Sequence, residues 1–78
     1  MKIKVEVNDD EQVEDNVEYL IRSIEHRFGI EAFADSDNTV EIELNTDFKN
    51  AGILLHWLED GSEAAEAKVK KITVIQET

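Results

Sequence analysis

Residues 30–44 read IEAFADSDNTVEIEL, two short alternating stretches on either side of Ser36-Asp37-Asn38. Apolar side chains occupy every second position of residues 30–35 and again of residues 39–44. A period of two is typical of a strand that buries one face. The three residues between the stretches have the composition of a turn. The sequence therefore predicts a β-hairpin in the middle of the chain.

A strand and a helix precede the hairpin. Residues 3–7 alternate and predict a first strand. Asn8 is predicted to cap the following helix, with Glu11 at its third position, and Gly29 is predicted to end it. Apolar residues at steps of four, three, four and four line one face of that helix: Val13, Val17, Leu20, Ile24 and Phe28.

A second helix and a last strand follow the hairpin. Asn45-Thr46-Asp47 predicts the helix start, and Gly61 predicts its end. Ser62 is predicted to cap a short extra helix that runs from Glu63 to about Lys70, and alternation over 71–75 predicts the final strand. The predicted core stripe of the second helix comprises Phe48, Ala51, Leu55 and Leu58.

The order β-α-β-β-α-β consists of two βαβ halves joined by a hairpin. This order predicts an α+β, ferredoxin-like sandwich. Right-handed crossovers place both helices on one face of a four-stranded antiparallel sheet with strand order 4-1-3-2. At 78 residues, the chain is predicted to form one domain, residues 1–78.

Negative charge is concentrated in the first part of the chain. The net charge is −11, and residues 1–47 account for −10 of it. A field of this sign repels nucleic acid and anionic membranes and attracts basic protein surfaces. We therefore predict an acidic face that binds a partner, composed of Asp9, Asp10, Glu11, Glu14, Asp15, Glu18, Asp35, Asp37 and Asp47.

Composition also limits the chemistry and the compartment. The chain has no cysteine, so disulfides and thiolate metal sites are excluded. No apolar run approaches the ~20 residues of a membrane span. The start of the chain alternates and lacks the continuous apolar run of a secretory signal. The expected location is the cytoplasm, or the host cytoplasm if the protein is viral.

The sequence offers no catalytic or cofactor-binding motif. His26 and His56 lie on different predicted helices, and no serine stands in a nucleophile motif. Residues 35–38 lack the turn glycine and distal glutamate of a calcium loop. The central strands carry no aromatic residue on which RNA bases could stack, because Phe33 is on an edge strand. We expect neither enzymatic activity nor a metal or other cofactor.

The leading hypothesis is a non-enzymatic acidic binding protein that docks on a basic, nucleic-acid-binding protein surface. The composition of the whole chain is similar to that of small acidic phage inhibitors, among them antirestriction proteins, anti-CRISPR proteins and other nucleic-acid mimics. This resemblance implies a viral inhibitor that imitates nucleic-acid charge. It rests on composition and transfers no residues.

Two alternative hypotheses belong to other classes. Ile53, Leu54 and Trp57 form an additional apolar stripe on the second helix. Either the segment after the helix covers this stripe, or it is an interface for a homodimeric structural subunit. The clean alternation, capped helices and absence of proline and cysteine also fit a de novo designed scaffold without biological function.

Overall fold

The computed structural model describes residues 1–44 and 51–75. The helices and strands within these ranges are β1 (Lys2–Val7), α1 (Val13–Phe28), β2 (Ala32–Ser36), β3 (Thr39–Glu43), α2 (Ala51–Asp60), α3 (Ser62–Glu66) and β4 (Val69–Ile75). The predicted cap at residues 45–47 and the predicted core residue Phe48 lie outside the described residues.

The four strands form one sheet in the order β2-β3-β1-β4, and every neighbouring pair is antiparallel. This is the predicted order 4-1-3-2 counted from the other edge, so the ferredoxin-like topology is confirmed. β1 and β3 lie in the centre, with Ile3 opposite Ile42 and Val5 opposite Val40. β2 and β4 are the edge strands.

The core lies between one face of the sheet and the helices. Inward side chains of β1 and β3 are buried together with apolar residues of α1 and α2 in a single cluster. The fully buried large side chains are Ile3, Val5, Val7, Leu20, Ile24, Val40, Ile42, Leu54 and Leu58. The polar side chains of β1 and β3 face the other way, as the alternation predicted.

Helix α1 begins at Val13, five residues after the predicted cap Asn8. Asp10 explains the delay, because its side chain accepts a hydrogen bond from the backbone N–H of Gln12 at 2.8 Å. Such a bond closes a local turn that competes with helix. The predicted end is confirmed: Gly29 adopts a left-handed conformation with φ 67° and donates to the Glu25 carbonyl.

The buried face of α2 differs from the predicted stripe. Leu54, Trp57 and Leu58 are buried, whereas Leu55 is half-buried. α3 packs against both α1 and α2, and it buries Ala64. The extra helix is thus confirmed, but it ends at Glu66 rather than near Lys70. Its cap is Gly61 and not Ser62, and no side chain makes a capping hydrogen bond.

A tight turn at Lys68 ends α3 and starts β4. Lys68 has φ 60°, the only positive value at a non-glycine residue within the described ranges. Its ammonium group contacts Asp10 Oδ2 at 3.2 Å and Gln12 Oε1 at 2.9 Å. The side chain therefore ties this turn to the segment that precedes α1.

Lys68→Gly is expected to be about 1 kcal/mol more stable than Lys68→Ala, because only glycine adopts the left-handed conformation without a Cβ clash. Both variants lose the amine contacts, so the difference between them isolates the backbone strain. Urea unfolding of the two variants measures this difference. If the two variants have the same urea midpoint and the same dependence of unfolding free energy on urea concentration, the turn at Lys68 is not strained.

Candidate acidic binding surface

A groove of about 410 Å³ runs between the start of α1 and the β2–β3 hairpin. We call it the acidic groove; its lining residues are Asp9, Val13, Glu14, Val17, Ala34, Ser36 and Asp37. Three segments therefore contribute carboxylates to one groove: the loop after β1, the first turn of α1 and the hairpin turn. The antiparallel hairpin and the chain entering α1 meet at this end of the sheet, since the Val7 N–H donates to the Asn38 carbonyl at 2.9 Å.

The predicted acidic residues divide into paired and unpaired groups. Three make ion pairs: Asp10 with Lys68, Asp35 with Lys4 at 3.1 Å, and Glu18 with Arg22. Among residues 1–44 and 51–75, no cation forms an ion pair with the other five, which are Asp9, Glu11, Glu14, Asp15 and Asp37. All five are exposed. Asp47 lies outside the described residues.

Because α1 begins at Val13, its dipole accounts for only some of the nearby acidic residues. Glu14 and Asp15 lie in the first turn, where the helix dipole favours negative charge. Asp9 and Glu11 precede the helix, so the dipole does not account for their charge in the same way. The pKa of Asp10 is lowered, first by the Gln12 backbone N–H and then by Lys68. That carboxylate therefore has a structural role in the loop.

Asp35 lies at a bulge in β2. Ala34 is opposite Val40 and Ser36 is opposite Thr39, so the pairing shifts at Asp35. Asp35 forms its ion pair with Lys4 of β1, across the intervening strand β3. Lys4 lies opposite Glu41 of β3 in the strand register, but its ammonium group pairs with Asp35 one strand further on. Asp35 is thus directed to the open face of the sheet, away from the acidic groove.

The opposite flank of α1 is held by a different set of contacts. The Arg27 guanidinium binds both carboxylate oxygens of Glu63, at 3.1 and 3.2 Å, and lies 5.9 Å from the Trp57 ring centroid. These Arg27 contacts lower the pKa of Glu63 most. The Trp57 indole N–H is buried and makes no hydrogen bond to any described residue. The contacts between Arg27 and Glu63 join α1 to α3.

A shallow surface depression lies over this flank, but its tyrosine, its two arginines and Glu63 already contact other residues of the chain. Tyr19 donates a hydrogen bond to Glu66 at 3.1 Å, and burial followed by that bond raises the Tyr19 pKa. Arg22 and Arg27 are both in ion pairs. The depression is lined by Tyr19, Arg22, Ser23, His26, Arg27 and Glu63. We see in it a helix–helix contact rather than a ligand site.

The three residues of the predicted apolar interface differ in how exposed their side chains are. Leu54 is fully buried and Trp57 is 7% exposed, whereas Ile53 is 61% exposed. Trp57 packs edge-on against Phe28 at 5.5 Å between ring centroids. An interface through this stripe would need Leu54 and Trp57 at the surface. The structure instead places both in the core and leaves Ile53 as the exposed member.

The sequence predictions omitted the apolar residues that line the acidic groove. Val13 is half-buried, Val17 is buried, and Ala34 is exposed although it shares the inward phase of Ala32. The signal was present in the sequence: a small residue at an inward position of an edge strand leaves space that a larger side chain would fill.

Comparison of the chain with protein-family models, with curated proteins and with solved structures gave no match.

Among the helices of the described residues, none has the length and apolarity needed to cross a membrane. The same part of the chain contains no group of three or more histidine, aspartate or glutamate side chains placed to hold a metal ion. His56 lies 3.4 Å from Asp60 on the exposed side of α2, one turn away on the same helix.

Added salt is expected to stabilise this domain, because the unpaired carboxylates repel one another and ions screen that repulsion. Raising NaCl from about 0.02 M to about 0.5 M should raise the thermal midpoint by several degrees, as ~1 kcal/mol corresponds to roughly 4–8 °C at this size. Differential scanning calorimetry measures this. A variant neutralised at Asp9, Glu14 and Asp37 should gain less from salt; an equal gain would contradict repulsion within this group.

Proposed function

We propose that this protein is a non-enzymatic binding protein whose acidic groove and adjoining carboxylates dock on a basic, nucleic-acid-binding protein surface. The supporting observation is that Asp9, Glu14 and Asp37, from three separate segments, line one groove without an ion-pair partner among residues 1–44 and 51–75. Carboxylates without an ion-pair partner in the described part of the chain are available to a cationic partner.

The distribution of the cations supports the same function. Arg27 and Lys68 form intramolecular ion pairs on the α3 side and at the β4 turn, and Arg22 is paired with Glu18. Glu11 and Asp15 extend the unpaired negative charge beyond the groove, on the segment before α1 and on its first turn. These exposed carboxylates adjoin the acidic groove, and we propose that together they form the anionic surface that a partner contacts. A basic surface that normally binds phosphates would be attracted to that anionic surface and blocked by it.

Electrostatic attraction of this kind predicts how binding depends on salt. Charged groups separated by more than ~8 Å are largely screened at physiological ionic strength, so steering acts mainly at close range. Association should slow as salt rises, while dissociation changes less. Such an inhibitor would act in the compartment of its target, which we propose to be the cytoplasm, or the host cytoplasm for a viral protein.

Affinity capture from a bacterial lysate tests this function. Immobilised protein should retain nucleic-acid-binding proteins at about 0.05 M salt and release them at about 0.5 M, because screening weakens the attraction. Added duplex DNA should displace the same proteins, since both compete for one basic groove. A column carrying the protein with its carboxyl groups chemically amidated serves as the control.

The outcomes separate this function from non-specific retention. Retention of DNA-binding proteins that free duplex DNA displaces would support the proposal. Retention of none, or retention that DNA leaves unchanged, would contradict charge mimicry at a nucleic-acid site.

A further inference from the structure

The acidic groove combines an apolar surface with a negatively charged one. Its lining includes the apolar side chains of Val13, Val17 and Ala34 and the exposed carboxylates of Asp9, Glu14 and Asp37. Ala34 is exposed on β2, the edge strand of the sheet that residues 1–44 and 51–75 form. The groove is therefore open at the side of the molecule.

A lysine or arginine side chain matches both surfaces. Each has an aliphatic stem that favours apolar contact and a cationic end that favours carboxylates. Arginine adds a planar group that binds carboxylates through two parallel hydrogen bonds. A groove of about 410 Å³ has room for such a side chain and part of its backbone.

We propose that the acidic groove is the insertion site for an arginine or lysine side chain from a basic segment of the partner protein. This inference rests on the proposed function for the basic nature of the partner and adds the place and mode of contact. The stem packs on Val13 and Ala34, and the cation lies between Glu14 and the carboxylates of Asp9 and Asp37. Recognition then depends on the shape of the groove as well as on its charge.

Charge complementarity favours this occupant over a second copy of the chain. Each copy carries a net charge of −11, so two copies repel at long range. Lys4, Arg27 and Lys68 are held in ion pairs within their own copy. An inserted cation from a basic partner breaks no such pair.

Nuclear magnetic resonance titration with an acetylated and amidated Gly-Arg-Gly-Arg-Gly peptide tests the insertion. Amide signals of residues 13–17 and 34–37 should shift, and those of residues 62–66 should not. Ala34→Leu fills the groove without changing its charge and should weaken binding by about fivefold, or ~1 kcal/mol. Ala65→Leu on the exposed side of α3 is the matched control and should leave the affinity unchanged.

Several comparisons make the result decisive. A peptide with citrulline in place of arginine should cause no shifts, because it keeps the shape and loses the charge. Ser36→Leu provides a second filling change, and the amide spectrum of each variant shows whether it folds. If wild type and both filling variants bind equally, the insertion is overturned and the proposed function stands. If wild type shows no shifts at all, the insertion is overturned too, and capture from a lysate decides the proposed function separately.

Discussion

Trp57→Ala is expected to lower the free energy of unfolding by about 3–5 kcal/mol, the range for removing a buried aromatic side chain. Trp57 lies at the centre of the helix contacts, against Phe28 and below the Arg27 guanidinium. Its loss leaves a cavity under α3 and removes the ring that Arg27 faces. A domain of 78 residues has a small total stability, so the variant should be largely unfolded at room temperature.

Ile53→Ala is the matched control on the same helix. Ile53 is exposed, so its truncation should change the free energy of unfolding by no more than about 0.5 kcal/mol. Chemical denaturation followed by circular dichroism measures both variants. If Ile53→Ala destabilises as strongly as Trp57→Ala, Ile53 is covered and the assignment of the buried face of α2 is wrong.

Gly61→Ala is expected to destabilise the domain by about 1–3 kcal/mol through steric overlap. An added Cβ would lie 2.5 Å from the Trp57 carbonyl oxygen and 2.7 Å from Cδ1 of its indole ring. The carbonyl also accepts the Gly61 N–H at 2.7 Å, so the backbone cannot move away without weakening that bond. Glycine is required here by the close approach of Trp57 to the α2–α3 junction.

Gly52→Ala is the control, and it is expected to change the stability in the opposite direction. A Cβ at Gly52 meets nothing within 4 Å, and alanine favours a helix, so stability should rise by about 0.4–1 kcal/mol. Thermal unfolding of the two variants side by side should show shifts in opposite directions. A neutral Gly61→Ala would contradict the contact between Gly61 and Trp57.

The sequence was sufficient for the fold because its strands alternate cleanly and its first helix has one apolar face. It was insufficient for α2, where Ile53, Leu54 and Leu55 are consecutive and apolar residues cover more than half of the helix circumference. Periodicity then cannot choose the buried face, which α3 and Trp57 determine through tertiary packing. The late start of α1 has a local cause instead, since the Asp10 turn competes with the predicted Asn8 cap.

The residue composition of the candidate site could be predicted from the sequence. The arrangement of these residues in space could be predicted only in part. The acidic residues were evident from charge alone, but which of them share a groove depends on where the hairpin meets α1. The pairing of Asp10 with Lys68 joins positions 58 residues apart, and no local pattern indicates it. The Lys4–Asp35 ion pair reaches across β3, so it likewise depends on the order of the strands in the sheet.

Two variants of equal charge test the central claim, that position and not total charge determines recognition. Asp9→Asn, Glu14→Gln and Asp37→Asn together neutralise the acidic groove. Glu31→Gln, Glu43→Gln and Glu59→Gln together remove three exposed carboxylates elsewhere. Both variants change the net charge of −11 by the same amount.

Isothermal titration with an oligo-arginine peptide at low salt gives the dissociation constant of each variant. Neutralising the acidic groove should weaken binding by about tenfold, or ~1.4 kcal/mol, and the other variant should weaken it by less than about twofold. Equal losses in the two variants would contradict a localised acidic site and leave only the overall charge of the molecule.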